Sequence, residues 1–173
     1  MGSFYSNIQV KNSLGKEKFI EEFKNVLNSE NSYRLAFSES WVTVVRPEYT
    51  DQPDLLESDT AALSKELKTF AFTTTVVDSD FALLTLFDNG VRTDEVVMGM
   101  ADAYDLEEVP PDKDAWSPLL KSGADFNELS EIWAGDEVFC EDALYKSAPL
   151  FGIEPQFMTA DHRSLDDETS ITL

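Results

Sequence analysis

Apolar and polar residues alternate from Phe4 to Lys11. A period of two marks a strand, with Phe4, Ile8 and Val10 as its expected buried face. Ser13 and Gly15 break the pattern. Phe19, Phe23, Val26 and Leu27 then recur at helical spacing, which predicts an amphipathic helix from about Lys16 to Asn28. The run from Asn28 to Ser32 is turn chemistry. Tyr33, Leu35 and Phe37 alternate, as do Trp41, Thr43 and Val45, so a hairpin is expected about Ser38-Glu39-Ser40. A loop over Pro47 to Pro53 leads to a second helix, about Leu55 to Lys68. Phe70 to Val77 is rich in β-branched and aromatic residues and reads as a strand. Asp78-Ser79-Asp80 turns the chain into Phe81 to Phe87, so apolar that a central strand is expected. Asn89-Gly90 suits a type I′ hairpin turn, and Val91 to Met98 returns as a weaker strand.

The periodicity ends at Gly99. Three short helices are expected after it: near Trp116 to Lys121, from Asp125 to Ala134 with Asp125 as N-cap, and from Asp136 to about Leu150. In the last of these Phe139, Ala143, Leu144, Ala148 and Phe151 form the buried stripe, and Pro149 shortens or kinks it. The prediction is an α+β fold. It has an antiparallel-rich sheet in split β-α-β order, two N-terminal helices on one face, and a C-terminal helical segment covering an edge or the far face. The expected divisions are a sheet core (1–98), an acidic loop (99–113), a helical segment on the same domain (114–153) and a mobile tail (154–173).

Charge sharpens this picture. Residues 1–46 carry six Lys/Arg and five Asp/Glu, while residues 47–173 carry seven Lys/Arg and twenty-nine Asp/Glu; the parts are +1 and −22, for a chain net of −21. Such a field repels nucleic-acid backbones and anionic lipid and attracts basic surfaces. The segment from residue 114 to 151 holds only Lys121 and Lys146, too few cations for a recognition helix on phosphates. Neither nucleic acid nor membrane is therefore an expected partner. No apolar run approaches membrane-spanning length, no basic-then-apolar leader is visible, and Cys140 is the lone cysteine. The expected location is the cytoplasm. The opening Met1-Gly2-Ser3-Phe4-Tyr5-Ser6 matches an N-myristoylation pattern, but a net of −21 opposes docking on an anionic leaflet, so lipidation is not expected.

Candidate chemistry is sparse. Asp78 and Asp80 offer oxygen ligands for a divalent cation. Asp88 and Asp94 lie at or beyond the far end of a strand about 20 Å long, too distant to share the ion. A turn capped by Asp and Ser is the preferred reading. His162 is the single histidine, which excludes a multi-histidine zinc site. Cys140 stands beside Glu141 and Asp142, whose charge raises a thiol pKa, so it is read as a small core residue. No glycine-rich phosphate loop occurs. No catalytic residue, metal ligand or cofactor is assigned. The candidate partner surface is the acidic loop, with Asp102, Asp105, Glu107, Glu108, Asp112 and Asp114, and with Trp116 as an anchor.

Leu63 to Gly90 (LSKELKTFAFTTTVVDSDFALLTLFDNG) and Val138 to Ile153 (VFCEDALYKSAPLFGI) together resemble uncharacterised bacterial proteins. In size, acidity and lack of catalytic residues, the chain also resembles immunity proteins of polymorphic toxin systems. That resemblance carries over no functional residue. It implies a non-catalytic domain that binds a basic protein, such as a toxin. Two alternatives are a carboxylate-based divalent-metal enzyme centred on Asp78 and Asp80, and a scaffold or regulatory subunit whose acidity serves solubility alone.

Overall fold

A computed structural model describes residues 2–27 and 32–173. Of the predicted turn at residues 28–32, residues 28–31 lie outside them. The sheet has seven strands, β1 (Tyr5–Lys11), β2 (Arg34–Phe37), β3 (Trp41–Val45), β4 (Phe70–Val77), β5 (Phe81–Asp88), β6 (Val91–Gly99) and β7 (Ile171–Thr172), in the order β6-β5-β4-β1-β3-β2-β7. Every pairing is antiparallel. Helices α1 (Lys16–Val26) and α2 (Pro53–Glu66) connect β1 to β2 and β3 to β4, with β1 held between β3 and β4. This is the split β-α-β order read from the chain. The central strand is β1; β5, the more apolar of the two, lies second from the edge.

Period-two geometry sends the two sides of β1 to different layers. Ile8 and Val10 join Phe19, Phe23, Leu56 and Leu63 beneath α1 and α2. Tyr5 joins the larger cluster on the far face, with Trp41, Phe72, Leu84 and the helices after residue 112. These are α3 (Lys113–Trp116), α4 (Phe126–Trp133), α5 (Cys140–Phe151) and α6 (Pro155–Met158). Both faces of the sheet are thus covered, the first by the N-terminal helices and the second by the C-terminal ones.

The far face also holds a buried polar lattice. The Asn7 amide donates to the carbonyls of Met158 and Ala160 at 3.1 and 2.9 Å. Gln9 donates to Asn7 Oδ1 and to the Phe157 carbonyl, and accepts from the Thr43 hydroxyl at 2.8 Å. Side chains on the sheet thereby satisfy the backbone of the segment around α6.

Three expectations change here. Phe4 lies before β1 and is 46% exposed rather than on the strand's buried face. Residues 154–173 are not a mobile tail: Phe157, Met158, Ala160 and Leu165 are buried, and β7 pairs with β2 through Arg34↔Thr172 and Leu35↔Ile171. The last long helix starts at Cys140 rather than Asp136, so Phe139 is its N-cap and is 50% exposed instead of lying in the buried stripe.

Candidate functional site

The acidic loop leaves the sheet at the end of β6. A 3-10 turn spans Ala101–Tyr104, and Ala101 is buried beneath it. The chain then returns along the open edge of β6. Val97 and Val109 exchange backbone hydrogen bonds, Val97 N to Val109 O at 3.0 Å and the reverse at 2.9 Å. Three residues further along the loop, the Asp112 N–H donates to the carboxylate of Asp94, three residues back on β6, at 2.9 Å. Between these contacts stand Pro110 and Pro111, which have no N–H and cannot extend the ladder. The loop is therefore a strap that covers part of an edge strand and blocks further pairing there.

The strap holds its carboxylates outward. Asp102, Asp105, Glu107, Glu108, Asp112 and Asp114 are all exposed. Among the described residues none of the six has a cation within ion-pair distance. Asp112 also caps α3, accepting from the Ala115 N–H at 2.9 Å.

Trp116 is placed differently from the sequence expectation. It is 0% exposed and is no surface anchor. Its ring meets Phe72 and Trp133 edge-on, with centroids 5.3 and 5.1 Å away, and its indole N–H donates to Asp94 at 2.7 Å. The Asp112 cap starts a helical turn that aims Trp116 inward, directly after the exposed charges.

The strap forms one wall of a groove of about 810 Å³. Gly99, Met100, Asp102, Leu106, Glu107 and Glu108 lie on that side; Trp133 through Val138, the connection from α4 to α5, form the other. Five carboxylates line it, Asp102, Glu107, Glu108, Asp136 and Glu137, and no cation does. Lys146 reaches Glu137 from outside the groove. The sequence predicts a helix from Asp136, whereas the helix begins at Cys140, which leaves Asp136, Glu137 and Val138 free to form the facing wall.

The Asp78-Ser79-Asp80 turn is built by contacts rather than by a ligand-ready loop. Asp78 and Ser79 have φ of 53° and 61°, and Asp80 N donates to Val77 O at 3.0 Å, a type I′ geometry without glycine. Ser79 is fixed on every side: it exchanges hydrogen bonds with Ser3, donates to Glu141 at 2.7 Å, and accepts from Cys140 N at 2.9 Å. Asp78 accepts from Gly2 N, and Asp80 accepts from the Tyr104 hydroxyl at 2.7 Å. Among the described residues no cluster of three or more His, Cys, Asp or Glu is arranged to hold a metal ion. Gly2 has its own steric reason to be glycine: a Cβ there would fall 1.9 Å from the Asp78 carbonyl oxygen. No helix among the described residues is long and apolar enough to cross a membrane.

Cys140 is buried, and its thiol is pushed up to about 12 by that burial first and by the Glu141 carboxylate next. The unfolded thiol titrates near ~8.5. A raised pKa favours the neutral form in the folded chain, so the associated stability is complete below ~8.5 and is lost as pH rises toward about 12. Alkylation of Cys140 by iodoacetamide at pH 8.5 should accordingly be at least ~10-fold slower in the folded protein than in urea. Equal rates would show that the thiol is neither buried nor raised.

Comparison of the chain with protein-family models, with characterised proteins and with solved structures finds no match.

Proposed function

We propose that this chain is a non-catalytic protein-binding domain for a basic partner, and that it acts as an immunity protein that covers the cationic surface of a toxin. The observation that supports the reading is the groove, where five carboxylates meet without a lining cation. Placing like charges together costs energy in the free protein. A cationic partner relieves that cost, and the same field speeds its approach. The turn at Asp78-Ser79-Asp80 lends no comparable support to metal chemistry, since both carboxylates already accept hydrogen bonds.

The test screens the products of the genes that flank this chain's own for a basic toxin. Co-expression should suppress its toxicity, and association should slow as salt is raised. Replacing Asp102→Asn, Glu107→Gln and Glu108→Gln together should lower the association rate roughly tenfold at low ionic strength. Folding stability should change by less than about 0.5 kcal/mol, because all three side chains are exposed. An unaltered association rate would remove the strap from the interface. Binding indifferent to salt would instead favour a scaffold whose acidity serves solubility.

A further inference from the structure

We infer that the groove takes a polypeptide segment in which Lys or Arg side chains flank an apolar anchor; the inference rests on the reading of the chain as a partner-binding domain. Charge alone does not explain the surface there. Met100 is 48% exposed, Leu106 39% and Val138 72%, and all three line the groove. Val109 and Phe139, 37% and 50% exposed, follow the lining residues Glu108 and Val138 in the chain. Ten large apolar side chains are exposed among the described residues, and these five fall in two short segments that face one another. Exposed apolar residues scattered singly need no explanation, whereas a cluster rimmed by charge marks a contact surface.

The arrangement selects the occupant. Glu107 and Glu108 stand on the strap, Asp136 and Glu137 on the opposite wall, and Met100, Leu106 and Val138 share the groove with them. A segment with an apolar side chain between cations satisfies both at once. Its apolar group leaves water against Leu106 and Val138, while its cations meet Glu107, Glu108 and Asp136, which have no ion-pair partner among the described residues; Glu137 already holds Lys146. A second copy of this chain is a poor occupant, because each copy brings a net charge of −21. An anionic lipid surface is repelled for the same reason. The groove's concavity suits a loop or extended segment, with carboxylates governing arrival and apolar contacts governing residence.

Three labelled twelve-residue peptides test this on the full chain by fluorescence anisotropy and stopped flow. The first alternates Lys/Arg with Leu/Phe, the second replaces Leu/Phe by Ser, and the third replaces Lys/Arg by Glu. The first should bind at least tenfold tighter than the second, and the third should not bind. Leu106→Ser with Val138→Ser, both at exposed positions and checked for an unchanged melting curve, should raise the dissociation rate of the first peptide and erase its advantage. Equal affinity for the two basic peptides would overturn this inference and leave the acidic-surface reading standing. An advantage that survives in the double variant would overturn it too, by placing the apolar contact elsewhere. Failure of both basic peptides to bind at low salt would overturn the inference together with the reading it rests on.

Discussion

Trp116→Ala will destabilise the protein by about 3–5 kcal/mol, the range for deleting a large aromatic from a packed core. Its side chain has no solvent-exposed surface, and its ring sits among Phe72, Trp133 and Phe151. Those three residues belong to β4, α4 and α5, so the cavity would open where the sheet meets two helices. The substitution also deletes one of the two donors to the Asp94 carboxylate, leaving only the Asp112 N–H. Trp116→Phe keeps one aromatic ring but removes the other together with its N–H. It leaves a smaller cavity than Trp116→Ala and should cost less, with ~1.5–3 kcal/mol of the loss coming from the hydrogen bond to a charged group. Urea denaturation of the three proteins measures both differences. A Trp116→Ala protein less than ~1 kcal/mol below the parent would show that the residue is not in the core.

Trp116 also shows where the sequence misleads. Its neighbours Asp112, Lys113 and Asp114 are charged, so local composition places it at the surface. What buries it is a capped helical turn of four residues, too short to show periodicity. Asn7 and Gln9 reverse the error. They occupy the polar positions of an alternating strand and look solvent-facing, yet both are 0% exposed, holding the carbonyls of residues 157, 158 and 160. Binary patterning assumes that one face of a sheet meets water, and here neither face of β1 does. The legible parts were those set by local chemistry: the Asn89-Gly90 turn, with φ of 48° and 82°, the Asp125 N-cap, and Phe19 and Phe23 on the buried stripe of α1. Of the groove, the strap's carboxylates could be read from charge density. The opposing wall and the apolar residues between depend on tertiary placement. The Pro110-Pro111 pair after Val109 was the available signal, since adjacent prolines beside a β-branched residue suit a chain that lies along a strand without joining it.

Asp59→Ala will cost a comparable amount, about 3–5 kcal/mol, because it breaks a buried charge cluster by removing one partner. Asp59 is 7% exposed on α2, and Arg46 is 9% exposed at the end of β3. The Tyr33 and Tyr49 hydroxyls donate to the same oxygen of Asp59 at 3.1 and 2.8 Å, and Arg46 Nη1 lies 3.8 Å from it. Without the carboxylate, Tyr49 loses its acceptor in the core, and Arg46 keeps Glu48 and the Tyr33 oxygen as partners. Asp59→Asn retains an acceptor oxygen and should lose only about half as much. The cluster also sets an alkaline limit. Burial first, and the Asp59 charge next, raise Tyr33 to about 12, and the same two causes raise Tyr49. Unfolded tyrosine titrates near ~10. A raised phenol pKa means that the unfolded chain loses its proton first, so this stability is intact below ~10 and declines as pH rises toward about 12. Removing the Asp59 charge lowers both phenols and brings the folded and unfolded values closer together. The Asp59→Asn protein, less stable at pH 7, should therefore lose less further stability between pH 9.5 and 11.5 than the parent does. Parallel denaturation curves across that interval would show that the carboxylate does not act on the two phenols, even if the loss at pH 7 matched.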